Sequence, residues 1–310
     1  MSTKKLTEGA VLLAIYAVLL LIFLYVPLFG LLFTFVLPIP FIYYNAKYNW
    51  KDGIVFFIAS LFISFIIGNF PAVTTTVLYG LTGFVLGVCL YFYKDRKTAF
   101  ILGTLTYILT TLFLFALSIW LFNINYIQEM VNAFKEVTNE SIAIMEMFGQ
   151  EVPPEAIELT QTIVSLGIAL IPTILVIVSG LSVWLIQLIA IPVVKRLGIS
   201  VPASQPFREL TFPKSTIWYF LLVSLLSIVV PLNEGTFLYN VVLNFLSIFQ
   251  IVFSIQGISF MFFFAHVKDI SKSVPIVVTV ITLLNPLLIQ IVQILGIIDL
   301  GFDLRKRLKT

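Results

Sequence analysis

Of the chain's 310 residues, 60% are hydrophobic and only 11% charged, with a net charge of +3 and a mean hydropathy of +1.09. Soluble domains carry about 25% charged residues, so a water-soluble fold is excluded and lipid is the solvent for most of these side chains. The sequence has no basic block suited to nucleic acid, and its single cysteine, Cys89, excludes a disulfide framework or a thiolate metal site.

The pattern predicts an all-α membrane protein, a polytopic bundle of eight or nine transmembrane helices. The opening "MSTKKLTEG" lacks a signal-peptide cleavage pattern, so the first apolar run is expected to remain as a span. In chain order the spans are expected at about 9–28, 30–46, 53–69, 71–92, 99–122, 160–192, 215–232 and 237–265. Pro27 and Gly30 mark the first turn, "GNFP" (68–71) the turn after the third span, and Pro172 a kink in the sixth. The last run, 273–298, is read either as one crossing or as a re-entrant hairpin turned by Asn285–Pro286. A single crossing, giving nine helices, is the favoured expectation.

Basic residues set the orientation. Lys4 and Lys5, Lys47 and Lys51, Lys94 to Lys97, Lys195 to Lys214, and Lys268 and Lys272 occupy alternate loops. Those loops are expected to be cytoplasmic, with the N-terminus. The opposite connection, 123–158, holds seven Glu and one Lys. Apolar residues at helical spacing within it predict an extracytoplasmic amphipathic helix pair, serving as a lid or a collar.

Burying Leu between helices gains little in lipid, so small residues mark sites where backbones approach. Ala10, Ala14 and Ala17 form one such stripe on the first span. Gly80, Gly83 and Gly87 form another on the fourth. Each reads either as internal helix packing or as a docking face for a partner.

Catalytic chemistry is hard to place. No Asp, Glu, Lys or Arg falls at a central span position, and the lone His266 sits at a span end. A proton relay, a Ser–His–carboxylate hydrolase and a metal centre are therefore not expected, nor is any cofactor. Uncharged polar residues remain: Asn69, Thr75 and Tyr79 near the outer ends of the third and fourth spans, and Asn240 and Asn244 on one face of the eighth. They read as interhelical hydrogen bonds or as a pocket for a neutral or weakly polar small molecule.

Four stretches carry a resemblance: "TEGAVLLAIYAVLL" (7–20), "LPIPFIYYNAKY" (37–48), "PFRELTFPKS" (206–215) and "LGIIDLGFDLRKRL" (295–308). With them the chain resembles the YybS-like family of bacterial multi-pass membrane proteins. Its first part also resembles the substrate-binding S components of energy-coupling-factor (ECF) transporters, through "AVLLA" (10–14) and six spans within 1–196. The resemblance implies an S-component-like domain over 1–196, a cytoplasmic linker at 197–214 and added C-terminal helices at 215–310. It further implies residence in the bacterial cytoplasmic membrane, and docking through Ala10, Ala14 and Ala17 to a transmembrane coupling protein that works with ATPase subunits. An assembly or scaffold protein with no transported ligand is the alternative, and no enzyme is implied.

Overall fold

A computed structural model describes residues 3–26, 30, 32–148, 153–203 and 205–308, and the regular elements among them are all helical. Among the described residues five helices are long and apolar enough to cross a membrane: α1 (Thr3–Tyr25), α3 (Trp50–Phe92), α4 (Arg96–Phe122), α7 (Ile171–Arg196) and α9 (Phe237–Val267). Between and after them lie α2 (Ile39–Lys47), α5 (Tyr126–Met147), α6 (Pro154–Ala169), α8 (Ser215–Val229), α10 (Ser273–Leu284), α11 (Pro286–Phe302) and α12 (Leu304–Leu308). The chain divides into two compact units, Met1–Ile157 with Ile174–Ala203, and Glu158–Thr173 with Ser204–Thr310.

In the first unit the 43 residues of α3 would form a rod of about 64 Å at 1.5 Å per residue, roughly twice the hydrocarbon thickness. The helix instead reverses. Gly68 and Asn69 leave helical geometry, Asn69 with φ 53° and ψ −143°. Beyond them the arms run back along each other: Ser64 Oγ lies 2.5 Å from Thr76 Oγ1, twelve residues away. The reversal falls where "GNFP" predicts it, because Gly and Asn tolerate such backbone angles and Pro71 cannot bond backward. Asn49 and Asp95 begin α3 and α4 by accepting backbone N–H bonds from Lys51, and from Lys97 and Thr98.

Two expectations are corrected here. Residues 30–46 do not form one helix, since turns occupy 34–38 before α2 begins. Pro38 and Pro40 remove the N–H groups that would have bonded to Thr34 and Val36. The connection 123–158 does not hold a helix pair either: α5 is unbroken from Tyr126 to Met147. It contains no Pro or Gly, and the Thr138 and Ser141 hydroxyls bond back to the Phe134 and Val137 carbonyls inside the helix. The prolines at 153 and 154 lead instead into α6. Of α5 only Val131 is buried. The expected turn at Pro27 lies outside the described residues.

The second arm of α3 carries the glycine stripe inward. A Cβ on Gly83 would sit 2.7 Å from the Pro38 carbonyl oxygen, and one on Gly87 would sit 2.6 Å from that of Ile42. A Cβ on Gly80 would meet the Phe57 and Phe41 rings at 3.0 and 3.1 Å. These glycines let α2 lie directly on α3. Leu86, Tyr107, Val183, Ile186 and Ala190 continue the same core into α4 and α7.

The second unit is built on α9. Thr236 caps its start by accepting from Tyr239 N. The long sixth span is two helices, α6 and α7, parted at Leu170. Pro172 is the cause, since its missing N–H would have bonded to Ile168.

The run 273–298 is not one continuous helix. Asn285 is extended, and its side chain caps α11 by accepting from Leu287 N and Leu288 N. The preceding α10 has only 12 residues, about 18 Å, well short of the hydrocarbon core. Helix α11 then advances in the same sense as α9: Phe253 faces Gly296, Gln256 reaches Asp299 and Ser259 reaches Arg305. The chain therefore turns back at Asn285, and its tail returns to the end of α9 from which α10 left. At the crossing the backbones touch. A Cβ on Gly257 would lie 2.1 Å from the Val292 carbonyl oxygen, and one on Gly296 2.1 Å from that of Phe253.

Candidate functional site

Helix α1 presents two different sides. Gly9, Tyr16 and Leu20 are buried, whereas Ala10 and Ala14 are exposed and Ala17 is half-buried. The buried side is fastened at two levels. Near the N-terminus, Glu8 accepts from Lys47 Nζ at 2.7 Å and from the Tyr48 hydroxyl at 2.5 Å, while Lys5 pairs with Asp52 at 2.6 Å. Lys47 also lies over the Tyr43 ring and Lys5 over that of Tyr48. One helical stretch deeper, the Tyr16 hydroxyl is 2.6 Å from Thr76 Oγ1, which meets Ser64, whose hydroxyl donates to the Ser60 carbonyl. The Tyr16 hydroxyl thus donates to Thr76, while Thr76 and Ser64 give their own protons to the Ala72 and Ser60 carbonyls, so these fully buried groups are satisfied without charge. With its buried side fixed this firmly, α1 holds the alanine face in one orientation.

Asn45 adds a second buried polar group to this unit. Its amide nitrogen donates to the Phe41 carbonyl. Its Oδ1 points at Gly53, where a Cβ would be only 1.7 Å away. Any side chain at 53 would displace the amide, so Gly53 is required by its neighbour.

The polar residues singled out in the sequence fall in different units. Asn69, Thr75 and Tyr79 belong to the first, and Asn240 and Asn244 to the second. Asn69 is exposed at the reversal of α3, the Thr75 hydroxyl donates to the Pro71 carbonyl, and the Tyr79 ring packs edge-on to Tyr107. Asn244 repairs the break at Leu170. Its Nδ2 donates to the carbonyls of Ala169 and Asn240, and its Oδ1 accepts from the backbone N–H and the hydroxyl of Thr173. An amide has two donors and two lone pairs, and all four are engaged. A cavity of about 10 Å³ in the first unit is lined by Ile42, Leu86, Leu90, Ala99, Gln187, Ala190 and Ile191. That space is apolar and far too small for a metabolite.

The second unit contains an ion pair that the sequence reading did not anticipate. Asp299 is fully buried and Arg305 is 12% exposed, with Nε 2.9 Å from Asp299 Oδ2. Gln256 Nε2 donates to the same oxygen, and Gln256 Oε1 accepts from Phe212 N. Arg305 also donates to the Arg208 carbonyl and to Ser259 Oγ, and its guanidinium lies over the Phe263 ring. At the surface Lys214 pairs with Asp303, holding that carboxyl below its ordinary range. The signal was present in "IIDLGFDLR": the apolar run had been ended at 298 because a charge followed, although the helix continues to Phe302. No group of three or more His, Cys, Asp or Glu that could hold a metal occurs among the described residues.

Comparison with known proteins places the chain in a family. The chain is similar to the "Uncharacterized protein YybS" of Bacillus subtilis (strain 168), with 32% identity over 311 residues and 99% of each chain covered. No solved structure matches. Residues 14–300 match the family described as "Predicted membrane protein (DUF2232)", and the chain belongs to that family of multi-helix membrane proteins.

Proposed function

We propose that this protein is the small-molecule-binding subunit of an ECF-like transporter in the bacterial cytoplasmic membrane. In this reading it docks a transmembrane coupling protein through α1. The observation that carries the proposal is the outward alanine face: Ala10 and Ala14 stay exposed on a helix whose opposite side is fixed by Tyr16 and Glu8. Small side chains let a second backbone come close, which is how helices associate in lipid. ATP hydrolysis belongs to partner subunits, and no residue of this chain is assigned a catalytic role. The N-terminus, the linker and the C-terminal tail are cytoplasmic and α5 is extracytoplasmic, following the basic loops. Eight membrane helices are counted when each arm of α3 and the shorter α2 and α8 are included, with the α10–α11 hairpin not crossing.

A second reading, a scaffold that docks membrane partners without a ligand, is favoured by the amide of Asn244, whose hydrogen-bonding positions are all taken up within the chain. One substitution tests the docking face common to both. Ala14→Leu is expected to leave the melting temperature of the purified protein unchanged and to abolish co-purification of partners from native membranes. Unfolding of the isolated Ala14→Leu protein would refute the docking face. Mass spectrometry of a purified complex separates the two readings, since only the transporter subunit carries a metabolite.

A further inference from the structure

We propose that Arg305 is a strap pin: by neutralising buried Asp299 it locks the C-terminal tail onto the linker that precedes α8, so that linker and tail open and close together. The linker segment 207–212 is a single 3₁₀ turn flanked by extended chain, with the Phe207 ring packed edge-on to that of Phe262. It is held by polar contacts, and these converge on one place. The Arg208 carbonyl accepts from Arg305 Nη1 at 2.7 Å, and the Phe207 and Leu210 carbonyls lie within 2.9 Å of Ser259 Oγ, which itself accepts from Arg305 Nη2. Phe212 N donates to Gln256, whose other end donates to Asp299, the carboxylate that Arg305 neutralises. Arg305 thus supports the linker directly at Arg208 and indirectly through Ser259, Asp299 and Gln256.

The tail is a distinct piece of the fold. Asp303 adopts a left-handed conformation (φ 50°) between α11 and α12, so α12 is a separate five-residue segment hinged at that residue. Across the hinge, Lys214 of the linker grips Asp303, a second tie between the same two segments. Removing one partner of a buried ion pair is strongly destabilising. Withdrawing the tail would therefore strand Asp299, disturb Gln256 and release Phe212 N in one event.

Hydrogen exchange of the full-length protein in detergent tests this. Arg305→Gln is expected to speed exchange in the linker peptide 205–214 about tenfold, the effect of losing charge-assisted bonds to a locally opening segment, with the α3 arms unaffected. The double variant Asp299→Asn/Arg305→Gln removes the stranded charge. It is expected to regain the parent's melting temperature while the linker still exchanges fast, because the Arg208 and Ser259 contacts stay missing. Unchanged linker exchange in folded Arg305→Gln would overturn the proposal. Should that variant not fold, slow linker exchange in the double variant would overturn it equally. In a Cys89→Ser background, cysteines at Glu209 and Lys306 must also react from the same side of sealed vesicles. Labelling from opposite sides would sink the strap.

Discussion

The two units bury polar groups in opposite ways. The first keeps its interior neutral: Tyr16, Thr76 and Ser64 share hydroxyl contacts, and its ion pairs, Glu8–Lys47 and Lys5–Asp52, stay partly exposed at one end. The second takes a carboxylate fully inside and brings an arginine from the tail to meet it. Neutral hydroxyls can satisfy one another within helices already in place, whereas a buried charge requires a specific partner from elsewhere in the chain. The first unit therefore depends on shape, and the second on a contact that must be kept closed.

Substitutions at close backbone approaches should break this comparison most strongly. Gly296→Ala in the second unit would drive a methyl into the Phe253 carbonyl, and Gly87→Ala in the first would drive one into that of Ile42. Each is expected to cost about 1–3 kcal/mol, the usual penalty of overpacking, with Gly296 at the upper end because its crossing is tighter. Unfolding in detergent measures both. Only Gly296→Ala should also speed linker exchange. A smaller effect is expected from Tyr16→Phe, which removes one buried hydroxyl contact while Thr76 keeps its bond to the Ala72 carbonyl. A loss of about 1 kcal/mol in the same assay, with linker exchange unchanged, is expected.

The smallest effect should come from pH. Lys214 holds the Asp303 carboxyl below its ordinary range, so the folded state favours its charged form. The tie is complete above the ordinary carboxylate value of about 4 and is lost as pH falls below it, toward the depressed folded value. A spin label at position 306 should gain mobility only in that acidic range.

The four stretches that carry the family resemblance were legible in sequence, but their pairing was not. Residues 7–20 meet 37–48 through Glu8–Lys47 and Gly9–Tyr44, and 206–215 meet 295–308 through Arg208–Arg305 and Lys214–Asp303. The reversal at 68–71 could be read because Gly, Asn and Pro act on their own backbone. The break at 34–38 was equally local, yet the apolar run around Pro38 and Pro40 outweighed it. Asn244 looked like a pocket residue because nothing near it in sequence shows that Leu170, far up the chain, leaves a carbonyl and an N–H for it to cap. Asp299 was missed because hydropathy stops at the first charge, and its counter-ion lies beyond a left-handed residue on another helix. Local backbone chemistry is visible in a sequence, whereas polar partners brought together by packing are not.

The reversal within α3 also bears on how so apolar a chain meets lipid. Forty-three residues from Trp50 to Phe92 leave the ribosome with no charged residue after Asp52 to stop or orient them. Ser60, Ser64 and Thr76 find side-chain or backbone partners within the paired arms. Paired in this way the arms leave few hydroxyls seeking partners, so the bend at Gly68 and Asn69 lets an uncharged stretch this long meet an apolar solvent as one hairpin.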